Sequence, residues 1–464
     1  MSGSPRFADR REELALLRRL EGRRGGQLLV VHGRRRVGKT ALLARHLQTS
    51  RRRSIYLYID LLKRDDLLDQ LSRDVARQLQ APVAFRRWED LWDYVDASVG
   101  RGLTVVLDEF QRLRTVSPDA LSSLQRAWDE RLRRRPILLV LMGSAVGMVR
   151  RLAVDARGAL YGRSTAILPL HPFTYAQART LLRGAEPRRV ELYAAFGGTP
   201  HYLSLALATP GDLWRKIREL VLEPYAPLRE EPLNVLAAEL RDPEKYHSIL
   251  RAIAGGRGTP KEIGDVSGVA PTRLPYYLGA LEDLLEVVRR EEPVLGAKRS
   301  GRYVIQDPFF RFWFRFVHRQ RGRLELGDVL GVLRAVREEF PAHAGTIFEG
   351  IVREWVAGNP RLGGRRLEVE RVGAWWDRRG HEIDVCAPLR DGSVLLGEVT
   401  WRSKPVGAAD VDALLKKADL VAPQRPKRFL LVGRKVDPQA REALGGRGAV
   451  LDLADLAGTL QDTR

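Results

Sequence analysis

Residues 27–47 read QLLVVHGRRRVGKTALLARHL, and this stretch decides the first half of the chain. The apolar run Leu28 to Val31 predicts a parallel strand buried on both faces. Glycines at 33 and 38 follow, then Lys39 and Thr40, then an amphipathic helix. Such a loop, spanning Gly33, Arg34, Arg35, Arg36, Val37, Gly38, Lys39, Thr40 and Ala41, wraps a phosphate chain with its backbone N–H groups. The helix N-terminus adds a favourable dipole. Lys39 is expected at the β- and γ-phosphates and the Thr40 hydroxyl on Mg²⁺, which makes ATP and Mg²⁺ the expected cofactors.

A second acidic strand has to accompany such a loop. Residues 102–113, GLTVVLDEFQRL, supply it. Asp108 ends the strand and is placed to hold Mg²⁺, directly or through water, while Glu109 is placed to polarise the attacking water. The β-forming residues Thr104 to Leu107 argue against a helix-start Asp-Glu pair. A third apolar run, PILLVLMGSAVGM (136–148), ends at Ser144, which reads as a γ-phosphate sensor or as a cap for the next helix. Arg163, in YGRS, reads as an arginine finger acting in cis or from a neighbour, or as one more surface arginine.

Six segments occur in this order: FADRREELALL (7–17), GRRRVGKT (33–40), VVLDEFQRL (105–113), LMGS (141–144), YGRS (161–164) and FGGTPHYL (196–203). Together they resemble the archaeal-type ATPase family of the AAA+/STAND P-loop class, over roughly residues 7–320. The resemblance implies that Phe7, Arg10 and Glu13 help seat the adenine side. It also implies that Gly197, Gly198, Thr199 and Pro200 lie in a helical lid near the nucleotide. From the residues alone, Gly-Gly breaks a helix and Pro200 starts another.

Composition bounds the partners. The chain has 464 residues, suggesting about three or four domains. Its 79 Lys and Arg, only 11 of them lysine, exceed 58 Asp and Glu, for a net charge of +21. That balance favours a polyanionic partner, DNA ahead of a membrane surface, although the arginine skew also suits genome composition or heat adaptation. Self-association or a protein partner stays open. Cys386 is the only cysteine, which excludes a disulfide framework and a cysteine metal site within one chain and fits a reducing cytoplasm. No apolar signal core or membrane-spanning stretch is visible.

From Tyr246 onward, YHSILRAIAGG, TPKEIGDVSG and APTRLPYYLGALEDLLEVVRR predict three helices, the last a long one, followed by a hairpin in EEPVLGAKRSGRYVIQDP. That is a winged helix-turn-helix pattern. Thr272, Arg273 and Tyr276 stand at the recognition helix and Lys298, Arg299 and Arg302 on the wing, for DNA or for protein packing. FFRFWFRFVHR (309–319) reads as a buried helix face, with stacking on bases as the alternative.

In the tail, Glu349 lies on a helix, and two strands flank the turn signal Asp391-Gly392. Asp384 is on the first strand and Glu398 on the second, so the hairpin brings them towards one divalent ion, which Glu349 would complete. The set resembles the restriction-endonuclease-like PD-(D/E)xK fold. Its lysine position, however, holds Thr400. Arg402 is the nearest same-face replacement, ahead of Lys404, Lys416 and Lys417. The bland alternative is a cross-strand charge set with Arg378, Arg379 or Arg402.

The expectation is therefore an α/β multidomain enzyme. It comprises a P-loop core (1–170) with a parallel sheet, a helical lid (171–240), a winged helix (241–320) and a nuclease-like domain (321–464). Its function would be Mg²⁺-dependent ATP hydrolysis coupled to DNA binding. The alternatives are an ATP-gated, metal-dependent nuclease and a non-enzymatic nucleotide switch bound to DNA.

Overall fold

A computed structural model describes residues 9–153, 155, 158, 160–296, 301–362, 364–377, 379–421 and 423–460. The chain forms two compact units, Met1–Pro172 and Phe173–Arg464. The first holds strands β1 (Gln27–His32), β2 (Arg53–Tyr58), β3 (Leu103–Asp108), β4 (Ile137–Gly143) and β5 (Ala166–Pro169). They form one parallel sheet in the order β2-β3-β4-β1-β5. β3 and β4 are buried at every residue, as their largely apolar runs require of a sheet covered on both faces. Trp88, Trp92 and Leu124 belong to one apolar layer, Leu17, Leu42 and Val106 to another. Helices α1 (Arg11–Glu21) and α2 (Lys39–Thr49) contribute to the latter.

Register positions the chemistry. His32 pairs with Gly143, and Asp108 with Met142. The carboxyl ends of β1, β4 and β3 therefore lie side by side, with β4 between the glycine-loop strand and the acidic strand.

In the second unit, helices including Glu186–Phe196 and Pro200–Ala208 precede a three-helix segment, Pro243–Ala254, Pro260–Ser267 and Leu274–Gly279. Thr259 caps the second of these through the Glu262 amide, with the reciprocal Glu262 contact in place. The third is shorter than its sequence suggests. It continues as a π turn to Leu284, and Val288–Glu291 is strand β6, paired with β7 (Arg302–Ile305). Glu286, at φ 55°, ends the helical path, and the β-branched Val287 and Val288 start the strand. Pro275 sits in the first turn of its helix, where the missing N–H costs nothing. Thr272, Arg273 and Tyr276 are exposed, whereas Lys298 and Arg299 lie outside the described residues.

The aromatic segment forms the helix Pro308–Phe312 and a π turn, Trp313–Val317. Phe309, Phe310, Phe312, Trp313, Phe314 and Phe316 are all buried, as a packed face demands. They join one apolar core that reaches from Phe173 to Leu460. The helix Val329–Ala357 leads through a short ribbon, β8 (Arg361–Leu362) and β9 (Arg365–Arg366), to a mixed sheet. That sheet contains β10 (Gly373–Trp376), β11 (Glu382–Pro388), β12 (Val394–Thr400), β13 (Lys427–Gly433) and β14 (Gly448–Leu451) in sequential order. β10 to β12 are antiparallel and β12 to β14 parallel. Among the described residues no helix is long and apolar enough to cross a membrane.

The Gly-Gly pair has a steric cause. Gly197 ends its helix at φ 66°, and a Cβ on Gly198 would lie 1.8 Å from the Phe173 carbonyl oxygen. Gly198→Ala is expected to destabilise the second unit by about 1–3 kcal/mol, since backbone has to move. Calorimetry should show its transition falling while that of the first unit holds.

Candidate functional site

The glycine loop is built by backbone geometry that side chains disfavour. Gly33 has φ 157°, and a Cβ there would meet the Leu170 carbonyl oxygen at 2.2 Å. Arg36 (φ 70°) and Gly38 (φ 92°) also take positive φ, which turns the loop into the N-terminus of α2. Lys39 is buried, and its Nζ donates to the carbonyls of Gly33 (2.6 Å) and Arg34 (3.2 Å). Arg34 and Val37 are buried, whereas Arg35, Arg36, Thr40 and Ala41 are exposed.

Arg10 braces this loop from outside. Its guanidinium pairs with Glu13 (2.9 Å) and donates to the carbonyls of Val37 (3.3 Å) and His171 (2.6 Å). Phe7 lies outside the described residues.

The strand ends bring the remaining candidates together. Asp108 is 6% exposed, and its Oδ2 accepts the phenol proton of Tyr56. Burial raises the Asp108 pKa despite that hydrogen bond, and adjacent Glu109 pushes the same way while Lys39 opposes. Glu109 has φ 58°, a left-handed conformation uncommon outside glycine. Its Oε2 accepts from the Ser144 hydroxyl (2.8 Å) and the Gln111 amide (2.5 Å). Gly143 leaves room for Gln111, because a Cβ there would lie 2.3 Å from Gln111 Oε1. Ser144 is thus tied to Glu109.

These residues suit a nucleotide–magnesium complex. The positive-φ loop is a concave run of amides, and Thr40 and Asp108 offer hard-oxygen donors. Arg163 stands apart, bound to Asp129 by Nε (3.1 Å) and Nη2 (2.7 Å). Pro200 opens its helix in the second unit.

The second unit carries its own charged cluster. Glu349 lies on the helix Val329–Ala357, Asp384 on β11 and Glu398 on β12. Among the described residues, no three His, Cys, Asp or Glu side chains converge closely enough to hold a metal ion. Asp384 Oδ2 instead accepts the Val399 amide (2.8 Å), and its carbonyl accepts from Arg353 Nε (2.6 Å). Arg353 Nη2 donates to Glu349 (3.2 Å).

Lys417 Nζ, from the helix Ala408–Ala418, donates to Glu398 Oε1 at 2.8 Å. The expectation that Arg402 stands nearest is therefore corrected. β12 ends at Thr400, so Arg402 and Lys404 no longer follow the strand's alternation, and Arg402 pairs with Asp410 at 2.5 Å. The cations beside the carboxylates are Arg353 and Lys417 rather than Arg379 or Arg402, and Arg378 lies outside the described residues.

Sequence reading missed Tyr56, Gln111 and Arg353. Tyr56 and Arg353 come from distant elements and carry no local signal, whereas Gln111 stood in plain view beside Asp108-Glu109.

Comparison with known proteins agrees with this architecture. Residues 7–206 match the model of an ATPase domain found predominantly in Archaea, and residues 313–413 a family of archaeal and bacterial proteins of unknown function. An uncharacterized protein of Methanocaldococcus jannaschii is 27% identical over 462 residues, covering 97% of this chain and all of that protein. The Walker-type ATPase of Pyrococcus abyssi aligns with 68% of this chain and 99% of its own, at 22% identity and TM-score 0.53. The ORC2 protein of Aeropyrum pernix, solved with ADPNP and ADP, aligns more loosely at TM-score 0.44 and 19% identity, over 72% of this chain and 96% of its own. Residues 7–206 are thus similar to an archaeal-type ATPase domain, and residues 313–413 to the second family.

The carboxylates of the second unit imply a pH dependence. Burial, reinforced by Asp384, pushes Glu349 up to about 8 and Glu398 to about 7. Above about pH 6.5 the folded unit keeps protons that the unfolded chain has lost, so stability falls as pH rises to 8. Below that, His247, His318 and His343, held neutral by burial, act in the opposite direction. Glu349→Gln is expected to flatten the decline between pH 6.5 and 8, read as the melting temperature of the second unit.

Proposed function

We propose that this archaeal-type P-loop ATPase hydrolyses ATP with Mg²⁺ at the shared end of β1, β4 and β3, and that nucleotide state governs how its second unit holds nucleic acid. The observation that carries the reading is the register of those three strands: it aligns the glycine loop, Glu109 with Ser144, and Asp108 at one sheet edge.

On this reading the loop amides and Lys39 hold the triphosphate, and Thr40 and Asp108 hold Mg²⁺, which would neutralise developing phosphoryl charge. Glu109 orients and polarises the attacking water, and Ser144 holds that carboxylate in place until the γ-phosphate arrives. Arg10 keeps the loop wrapped. Arg163 acts as a finger only if its pair with Asp129 opens. Nucleic acid as the partner is supported by the net charge of +21.

Lys39→Ala should abolish ATP binding or turnover. Glu109→Gln should bind ATP with near-native affinity and turn it over at least about 100-fold more slowly, in the range lost with a general base. Calorimetry and phosphate-release assays, with and without single- and double-stranded DNA at stated salt, measure both. Wild-type turnover by Glu109→Gln would remove the base assignment.

A second reading, ATP-gated strand cleavage, gains one specific support. Lys417 reaches Glu398 from a neighbouring helix and so offers the cation that Thr400 lacks. On this reading Lys417 would orient the attacking water, and Asp384 and Glu398 would need a divalent ion to draw them together. Supercoiled plasmid incubated with Mg²⁺ or Mn²⁺ and ATP should be nicked by wild type and left intact by Asp384→Ala and Lys417→Ala. Equal nicking by the three proteins, or none by wild type, removes this reading.

A further inference from the structure

The segment FFRFWFRFVHR does more than pack. Its rings are buried in the core of the second unit, which fixes the opposite side of the same turns. On that side Arg311, Arg315 and Arg319 recur every four residues, and all three line a cavity of about 1040 Å³. Arg251, Arg302 and Arg353 line it from other elements.

Arg302 and Arg353 are paired with Glu291, Glu349 and Glu382 on the same wall, whereas the row itself is poorly matched. Arg315 and Arg319 share one carboxylate, Glu339, each at 3.5 Å. Among the described residues the Arg311 guanidinium makes no hydrogen bond or ion pair. Burial lowers its pKa to about 10, which leaves it charged. Glu349 also stands on the cavity wall, and it makes no hydrogen bond or ion pair with Arg311 among the described residues. His318, on the same wall, is held below the ordinary imidazole range by burial and by Arg251 and Arg321. A partly desolvated guanidinium without a partner is costly, and an anion entering from outside would relieve it.

We propose that this cavity binds a ligand carrying several phosphate groups, with Arg311 and Arg315 as its phosphate contacts, and that the occupant is the end of a nucleic-acid strand. Size supports more than one phosphate. Arg311 to Arg319 spans roughly 12 Å at helical rise, longer than a single phosphate group. The volume stands at the top of the roughly 300–1,000 Å³ range of small-molecule sites. Guanidinium forks match phosphate oxygens bidentately and stack on bases, which suits a strand. Asp384, in the cluster with Lys417, also lines this cavity, so a strand end seated on the arginines would lie beside that cluster. The inference rests on the nucleic-acid reading for the identity of the occupant and not for the anion site itself. It does not require cleavage.

The test uses the full chain and a 5′-phosphorylated, 3′-fluorescein trithymidylate, followed by anisotropy across a salt series. Arg311→Gln/Arg315→Gln should weaken binding at least about tenfold. It should also reduce the slope of log K against log salt by about 1.4, two single-strand phosphate contacts at about 0.7 each. ATP turnover without nucleic acid and the melting temperature should stay near wild type, and Arg311→Lys should retain intermediate affinity. Lys39→Ala should lose turnover and keep the trinucleotide, which separates failure of the ATPase reading from failure of this one.

Pyrophosphate and a trinucleotide with an uncharged methylphosphonate backbone serve as competitors. If pyrophosphate binds in an Arg311-dependent manner and the trinucleotide does not bind, the anion site stands and the strand occupant is overturned. Unchanged trinucleotide affinity and salt slope in the double glutamine variant, or equal competition by the uncharged trinucleotide, overturns the proposal.

Discussion

A carboxylate at the end of a fully buried strand needs a partner for its charge, and the first unit is arranged around that requirement at Asp108. Water cannot solvate it freely, and the dielectric around it is low. Tyr56 gives it one hydrogen bond, and Lys39 offers a positive field. Neither removes the cost, since burial still raises its pKa. A divalent cation would, and a triphosphate would draw Lys39 from the carbonyls of its own loop. On the proposed reading the nucleotide–metal complex serves both groups with one ligand: it brings a cation to the carboxylate and phosphate oxygens to the ammonium. The left-handed backbone at Glu109 fits the same picture, because local strain persists where the surroundings over-determine a residue.

The parts legible from sequence were those whose cause is local. Gly33 and Gly38 announce a loop with positive φ, and Leu103–Asp108 announces a buried strand because every residue before the last, Thr104 apart, is apolar. Ser144 was visible as the first polar group beyond an apolar run. What could not be read was strand order. The placement of β4 between β1 and β3 brings Ser144 to Glu109, and nothing in either segment encodes that neighbour. Tyr56 is invisible for the same reason, as its strand is an ordinary alternating edge until it is paired beside Asp108. Arg163 shows the converse limit: its motif is local, but its partner, Asp129, sits 34 residues away.

In the second unit, the sequence reading failed where an element ended earlier than its pattern. Alternation continued through Thr400 would put Arg402 and Lys404 on the face of Glu398. β12 stops at Thr400, and the chain turns before Pro405, so strand geometry no longer governs those side chains. The charge at Glu398 comes instead from Lys417, across a helix–sheet contact. The third helix of the winged segment is likewise cut short, at Leu284, because Glu286 adopts positive φ and two valines favour extended backbone. The cluster of acids and the neighbouring lysine were thus readable as an inventory, whereas their pairing depends on where each element stops.

The alternation of rings and arginines after Asp307 combines two demands in one short stretch. Six buried rings commit one side of the helix and π turn to the core, so the segment cannot rotate to find acids for its arginines. Arginine tolerates this better than lysine would, because its guanidinium keeps its charge on burial and is more weakly hydrated. A surface charge can be neutralised by counterions wherever they diffuse, but charges held in a row on a cavity wall select for a polyanion of matching spacing. The same aromatic packing that stabilises the unit therefore fixes the geometry with which it presents these three arginines.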